Sequence, residues 1–176
     1  MPDDQNIPAV PATSALTALP TGAFDGRAAF ETALRQALAA AAAEGWREIV
    51  FSDADFSAWP LGERSSIDAL NAWSRSGRSF TLLAHRFETF ERTHARFVGW
   101  RRMWGHIIDC RVCTGPHAPT VPSAIWTPSW FLHRIDPTRD RGVCSHDPAS
   151  RRQLRETLDE CLRLSQPGFP ASTLGL

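Results

Sequence analysis

Apolar positions repeat along the chain with two periods, and the change from one to the other marks out the elements. Phe30, Leu34, Ala37, Leu38 and Ala41 fall three or four residues apart, the spacing of one helical face. Asp25 stands ahead of this stripe as an N-cap and Gly45 behind it as a stop, which predicts a helix running to residue 44. Residues 47–51 (Arg-Glu-Ile-Val-Phe) read as a short strand that leads into the turn-rich Ser52-Asp53-Ala54-Asp55. Trp59-Pro60-Leu61-Gly62 reads as a loop. A second helix starts near Ser65, with Asp68 placed for a capping box; Ile67, Leu70 and Trp73 face inward, and Gly77 ends it. Residues 79–84 (Ser-Phe-Thr-Leu-Leu-Ala) form a second apolar strand.

A third helix is predicted over 88–103, with Phe90, Phe97, Trp100 and Trp104 near one face and Gly105 closing it. Residues 107–112 are the third strand. Strands alternating with helices, joined by right-handed crossovers, predict a parallel sheet. Further on, Pro116, Pro119 and Pro122 interrupt a loop, and 124–135 holds one or two strands broken by Pro128. Asp147 followed by Pro148 makes an N-cap and first helical residue. The last helix reaches residue 164 and buries Leu154, Leu158, Cys161 and Leu162. The reading is therefore a flexible N-terminal arm over 1–22, one α/β domain over 23–165 and a C-terminal tail over 166–176. The domain is expected to have a mainly parallel central sheet flanked by helices. No internal repeat is visible.

Composition narrows the function more than the fold. A chain of 176 residues, 43% hydrophobic and 22% charged, suits one globular domain with a sizeable core. Seven Trp and ten Phe against no Tyr make that core strongly aromatic. The net charge is zero, so no global positive field draws the chain to nucleic acid or acidic membranes. All nineteen basic residues are Arg. Without Lys there is no Schiff-base amine, no Lys general base and no phosphate loop ending in Gly-Lys-Ser/Thr. Residues 1–22 lack the basic start and apolar run of a signal peptide, and no stretch nears the roughly 20 apolar residues of a membrane span. A cytoplasmic protein with four free thiols, no membrane partner and no cofactor is expected.

Four residue groups could carry chemistry, and each has a plainer use. Asp53-x-Asp55 follows an apolar strand, where open α/β sheets place ligands, and two carboxylates there could hold Mg²⁺ for a metal-dependent hydrolase. Asp and Ser also simply make turns. Cys110-x-x-Cys113, with His117 nearby and Cys144-x-His146 later, supplies enough ligands for tetrahedral Zn²⁺. Yet Cys110 and Cys113 on one strand would point to opposite faces, the pattern of ordinary thiols. His94, between Phe90 and Phe97, reads as a core histidine, and His85 as the more exposed one. No Gly-x-Ser-x-Gly elbow is present, so nucleophilic catalysis has no positive support. Finally, residues 86–111 carry six Arg against three acids, interleaved with Trp100 and Trp104. Arg92, Arg96, Arg101 and Arg102 there could bind a phosphate-bearing ligand or single-stranded nucleic acid, or be the solvated face of a helix. The opposite balance over 25–68, eight acids against four Arg, would suit complementary self-association.

The runs Arg47-Glu-Ile-Val-Phe-Ser-Asp-Ala-Asp-Phe, Ser79-Phe-Thr-Leu-Leu-Ala and His106-Ile-Ile-Asp-Cys-Arg, in that order, resemble an uncharacterised bacterial domain family. Its architecture is similar to one half of a phospholipase-D-like fold. The resemblance spans about residues 45–164, and the tail Ser165-Gln-Pro-Gly-Phe-Pro-Ala-Ser fits the same family. Phospholipase-D-like enzymes carry His-x-Lys-x-x-x-x-Asp, in which His attacks phosphorus and Lys holds the phosphate. Here His133 and Asp140 keep that spacing, but Ile135 stands where the Lys should be. Arg134 is adjacent, and a strand neighbour points to the other face. The resemblance implies the fold and a degenerate, non-catalytic interaction or ligand-binding domain. Half-domains of this architecture often pair, which further implies a homodimer.

Overall fold

The alanine-rich stretch Arg27–Glu44 forms the first helix, α1, and buries Phe30, Leu34, Ala37, Leu38 and Ala41. It ends as expected on Gly45, whose left-handed φ of 64° costs glycine little. The computed structural model describes residues 18–77, 79–115 and 118–170. Most of the predicted arm, His117 and the last six residues of the tail lie outside the described residues.

Ahead of α1 runs β1 (Gly22–Asp25), and after it come β2 (Glu48–Asp53), α2 (Arg64–Ser74) and β3 (Ser79–Ala84). Next are α3 (Glu88–Thr93), α4 (Ala95–Met103) and β4 (Ile108–Val112). The chain then forms β5 (Ser123–Trp126), β6 (Phe131–Asp136), β7 (Arg141–Ser145), α5 (Pro148–Arg163) and β8 (Gln166–Pro167). The strands make one sheet in the order β1-β7-β6-β5-β2-β3-β4-β8.

The α/β class holds, but the expected mainly parallel sheet does not. Only β2–β3 and β3–β4 are parallel, while five ladders are antiparallel. The reason is connection length. A parallel return needs a crossover of a dozen or more residues, and only the segments holding α2 and α3–α4 are such crossovers between strands that lie side by side. Beyond β4 the links between β5, β6 and β7 are short turns, which can only reverse the chain.

The helices divide unequally between the two faces. Phe30, Leu34, Leu70, Trp73, Phe90, Phe97 and Trp100 of α1 to α4 pack on Ile49, Phe51, Phe80, Leu82 and Leu132. On the other face α5 alone sets Leu154, Leu158 and Cys161 against Val50, Leu83 and Ala124. No helix among the described residues is long and apolar enough to cross a membrane.

Several local expectations shift by a few residues. Asp25 does not cap α1: it pairs across the sheet and bonds Arg141 at 2.9 Å, leaving Gly26 at the cap with a φ of 89°. Asp68 makes no capping box, because α2 starts after Glu63, which instead grips Arg35 of α1 at 2.6 and 2.8 Å. The third helix breaks at His94, whose backbone (φ −123°, ψ 40°) separates α3 from α4. Asp147 does cap α5, accepting from the Ser150 N–H at 2.7 Å. Gln166–Pro167, expected in the tail, pair with β4, and Phe169 stacks on Phe87 at 5.1 Å.

Candidate functional site

β2 lies between parallel β3 and antiparallel β5, so the strand order changes direction where β2 ends at Asp53. A cleft of about 540 Å³ opens there, lined by Arg27, Asp55, Ser57, Thr120, Thr138 and Asp140 around a floor of Asp53, Ser123 and Arg134. This is where open α/β sheets place ligands.

The floor is a buried ionic network. Asp53 is 3% exposed and Arg134 4% exposed. Oδ1 of Asp53 accepts from the N–H groups of Asp55 (3.1 Å) and Phe56 (2.9 Å). Its Oδ2 accepts from Trp59 Nε1 (3.0 Å), Arg134 (2.8 Å) and the Ser123 hydroxyl. Arg134, two strands away on β6, also donates to Ser123 Oγ (2.9 Å) and Asp140 (2.7 Å), and its plane lies 4.5 Å over the Phe30 ring. Five donors on one carboxylate and two carboxylates on one guanidinium leave little unsatisfied, which is what lets these charges stay buried.

The same network shapes the loop that follows β2. Phe56 takes a left-handed φ of 58°, unusual for a bulky side chain. Its N–H is held by Asp53, and its carbonyl accepts from His94 Nε2 at 2.9 Å. Burial pushes the His94 imidazole below its ordinary value, against the raising effect of that carbonyl and the Thr93 backbone. His85, the other candidate base, has both ring nitrogens engaged. Nδ1–H donates to the Cys113 carbonyl (2.6 Å), and Nε2 accepts from the Val121 N–H (3.3 Å).

Asp53 and Asp55 come together at the cleft, but each answers to its own arginine. Asp55 bonds Arg86 at 2.8 Å; burial opposes its charge, yet Arg86 and Ser57 outweigh that and hold its carboxyl below the ordinary range. The cysteine set is dispersed. Cys110 and Cys144 lie in the layer under α1 to α4, five strand positions apart, and Cys113 lies in the layer under α5. Burial pushes the Cys144 thiol up to about 12, while His146 is exposed and bonds the Ser129 carbonyl. Among the described residues, no three His, Cys, Asp or Glu side chains gather as a metal-holding group.

His133 and Asp140 do not meet. Asp140 sits in the β6–β7 turn and bonds Arg134, whereas His133 lines a separate groove on the α5 face. Ile135 is 65% exposed, so it is Arg134 that reaches the cleft from this strand. Of the four arginines singled out on the third helix, Arg101 turns inward: it is buried, donates to Cys110 Sγ at 3.1 Å and lies 4.8 Å over the Phe169 ring. Arg92, Arg96 and Arg102 are exposed, and Arg96 also bonds the Gly62 carbonyl. Arg134 was the residue least legible as a hub. Period-two spacing does put it on the face of Leu132, and an Arg on an apolar strand face requires a buried acid opposite.

Fold and cleft together define an α/β domain with a mixed sheet and a polar cleft at its change of strand order. No protein-family model matches the chain, and no curated protein matches it. Among solved structures it is similar to TrmBL2, described as an archaeal chromatin protein showing a novel mode of DNA binding, at 11% identity and a TM-score of 0.61. The match covers 85% of this chain and 54% of that one, so the chain spans about half the length of its structural relative. At that identity the likeness concerns the fold alone.

Proposed function

We propose that this chain is a non-catalytic ligand-binding domain, a degenerate phospholipase-D-like half-domain that takes a small phosphate-bearing molecule in the cleft at the end of β2. One observation carries the reading: Asp53, Asp55, Asp140, Arg134 and His85, all lining the cleft, are engaged by protein partners. Side chains tied in this way hold fixed positions and present a defined polar surface to a ligand. Such a site has fixed polar walls, good for recognition. At the mouth the first turn of α1, which has neither a side-chain cap nor an acidic residue, and Arg27, which also bonds Glu31 at 2.7 Å, favour an anionic group. Native mass spectrometry of the protein as purified, then with added adenosine monophosphate, should show one bound molecule per chain, weakened in Arg27→Ala. The same spectrum should show a dimer, since β1 is an edge of the sheet among the described residues. Phosphodiesterase turnover that His133→Ala abolishes would overturn the reading.

A second reading has its own support. From residue 92 to 108 the chain carries four Arg, two His and no acid, and three of those Arg lie exposed on α3 and α4. The structural relative described as DNA-binding adds to this support. In this reading Arg92, Arg96 and Arg102 contact the phosphates of a nucleic acid, without base-specific readout.

A further inference from the structure

Among the described residues, α5 is the one helix on the sheet face opposite α1 to α4. α5 lies over β2 and β5: Arg155 bonds Glu48 of β2 at 2.7 Å and lies 4.6 Å over the Trp126 ring, and Trp126 Nε1 donates to the Arg151 carbonyl at 3.0 Å. These ties seat the helix over β2 and β5, and a groove of about 320 Å³ lies between it and β6 and β7. Phe131, Val143 and Leu154 give the groove apolar walls, and Gln153 and Thr157 stand at its exposed rim. Among the described residues, no Asp, Glu or Arg side chain lines it.

His133 faces this groove from β6. Its strand partners on either side are Ala124 and Val143, neither of which offers a polar side chain. Among the described residues nothing hydrogen-bonds its ring, although burial is enough to lower its pKa below the ordinary value. A neutral imidazole has one N–H to donate and one nitrogen to accept. The His133 imidazole therefore presents a donor and an acceptor to a cavity of ligand size, with neither committed to another described residue. Arg134, one residue on, points to the opposite face, which makes this groove independent of the cleft at β2.

We propose that the groove between the β6–β7 face and α5 binds a small uncharged molecule with an apolar ring and one hydroxyl group, hydrogen-bonded to His133. The ring lies against Phe131, Val143 and Leu154, and the hydroxyl meets the imidazole. Charged relatives are disfavoured at neutral pH because His133, the one titratable side chain in the lining among the described residues, is held neutral by burial.

The test is an NMR titration of the full chain with phenol, and with benzoate as the charged control. Phenol should move the His133 ring signals and the amide signals of Gln153, Leu154 and Thr157 saturably, while benzoate leaves them in place. His133→Phe keeps the volume and loses the hydrogen bond, so it should weaken phenol roughly three- to tenfold. Thr157→Trp, at an exposed helical position on the rim, should abolish binding with His133 intact. Unmoved signals, equal affinity in His133→Phe, or benzoate binding as well as phenol would each overturn the proposal.

Discussion

At the scale of single residues, Arg134 decides most. It joins β6 to the acid at the end of β2 and to Asp140 in the next turn, all in a nearly dry setting. Removing one partner of such a network leaves the others charged and unpaired, which costs more than the network itself contributes. Arg134→Met should therefore lower the unfolding free energy in urea by about 3–5 kcal/mol. A loss below about 1 kcal/mol would mean that water already reaches the two carboxylates. Asp140→Asn should cost less, since Asp140 is 16% exposed and Arg134 keeps Asp53.

At the scale of elements, α4 stands out for what its outer face lacks. Gly99 sits mid-helix, and a Cβ built on it would meet nothing within 4 Å. A helix-interior glycine costs roughly 0.5–1 kcal/mol against alanine, so Gly99→Ala should raise the melting temperature. If the nucleic-acid reading holds, the same change should weaken binding by blocking close approach of a backbone between Arg96 and Arg102. Binding to a short single strand should fall with salt at a log–log slope of about −2 for three phosphate contacts. Absent or salt-independent binding would remove that reading. The neighbouring break at His94 was hidden from the apolar pattern, because Phe90 and Phe97 keep helical spacing across it. At the break the His94 ring bonds the Phe56 carbonyl, a contact distant in sequence.

For the whole molecule, the unequal layers set how stability responds to pH. His94 is enclosed in the thick layer and His133 half-enclosed in the thin one, and burial lowers both below their ordinary value. The unfolded chain therefore takes up protons first, near its ordinary pKa of about 6.5. Stability should be full above that pH and decline as the pH falls below it, through the lowered folded values. The urea midpoint should be lower at about pH 5 than at about pH 7.5, and His94→Gln should shrink the difference. An unchanged difference in that variant would place the titrating group elsewhere.

Local periodicity and punctuation determined much of the helices and inner strands: the stripe of α1, the stop at Gly45, the Asp147 cap and the apolar runs of β2, β3 and β4. These depend on neighbours within a few residues, which a chain carries on its face. The cleft was legible in part, as acids after β2. Its partners were not, for Arg134 lies 81 residues from Asp53 and is tied to it only by strand order. Sheet direction was likewise undetermined, because crossover logic holds only while helices separate the strands, and after β4 short turns take over. Which side of a strand meets which layer is a tertiary matter, and it separates His133 from Asp140. Spacing along a chain fixes which residues share a face; only the packed sheet decides what that face meets.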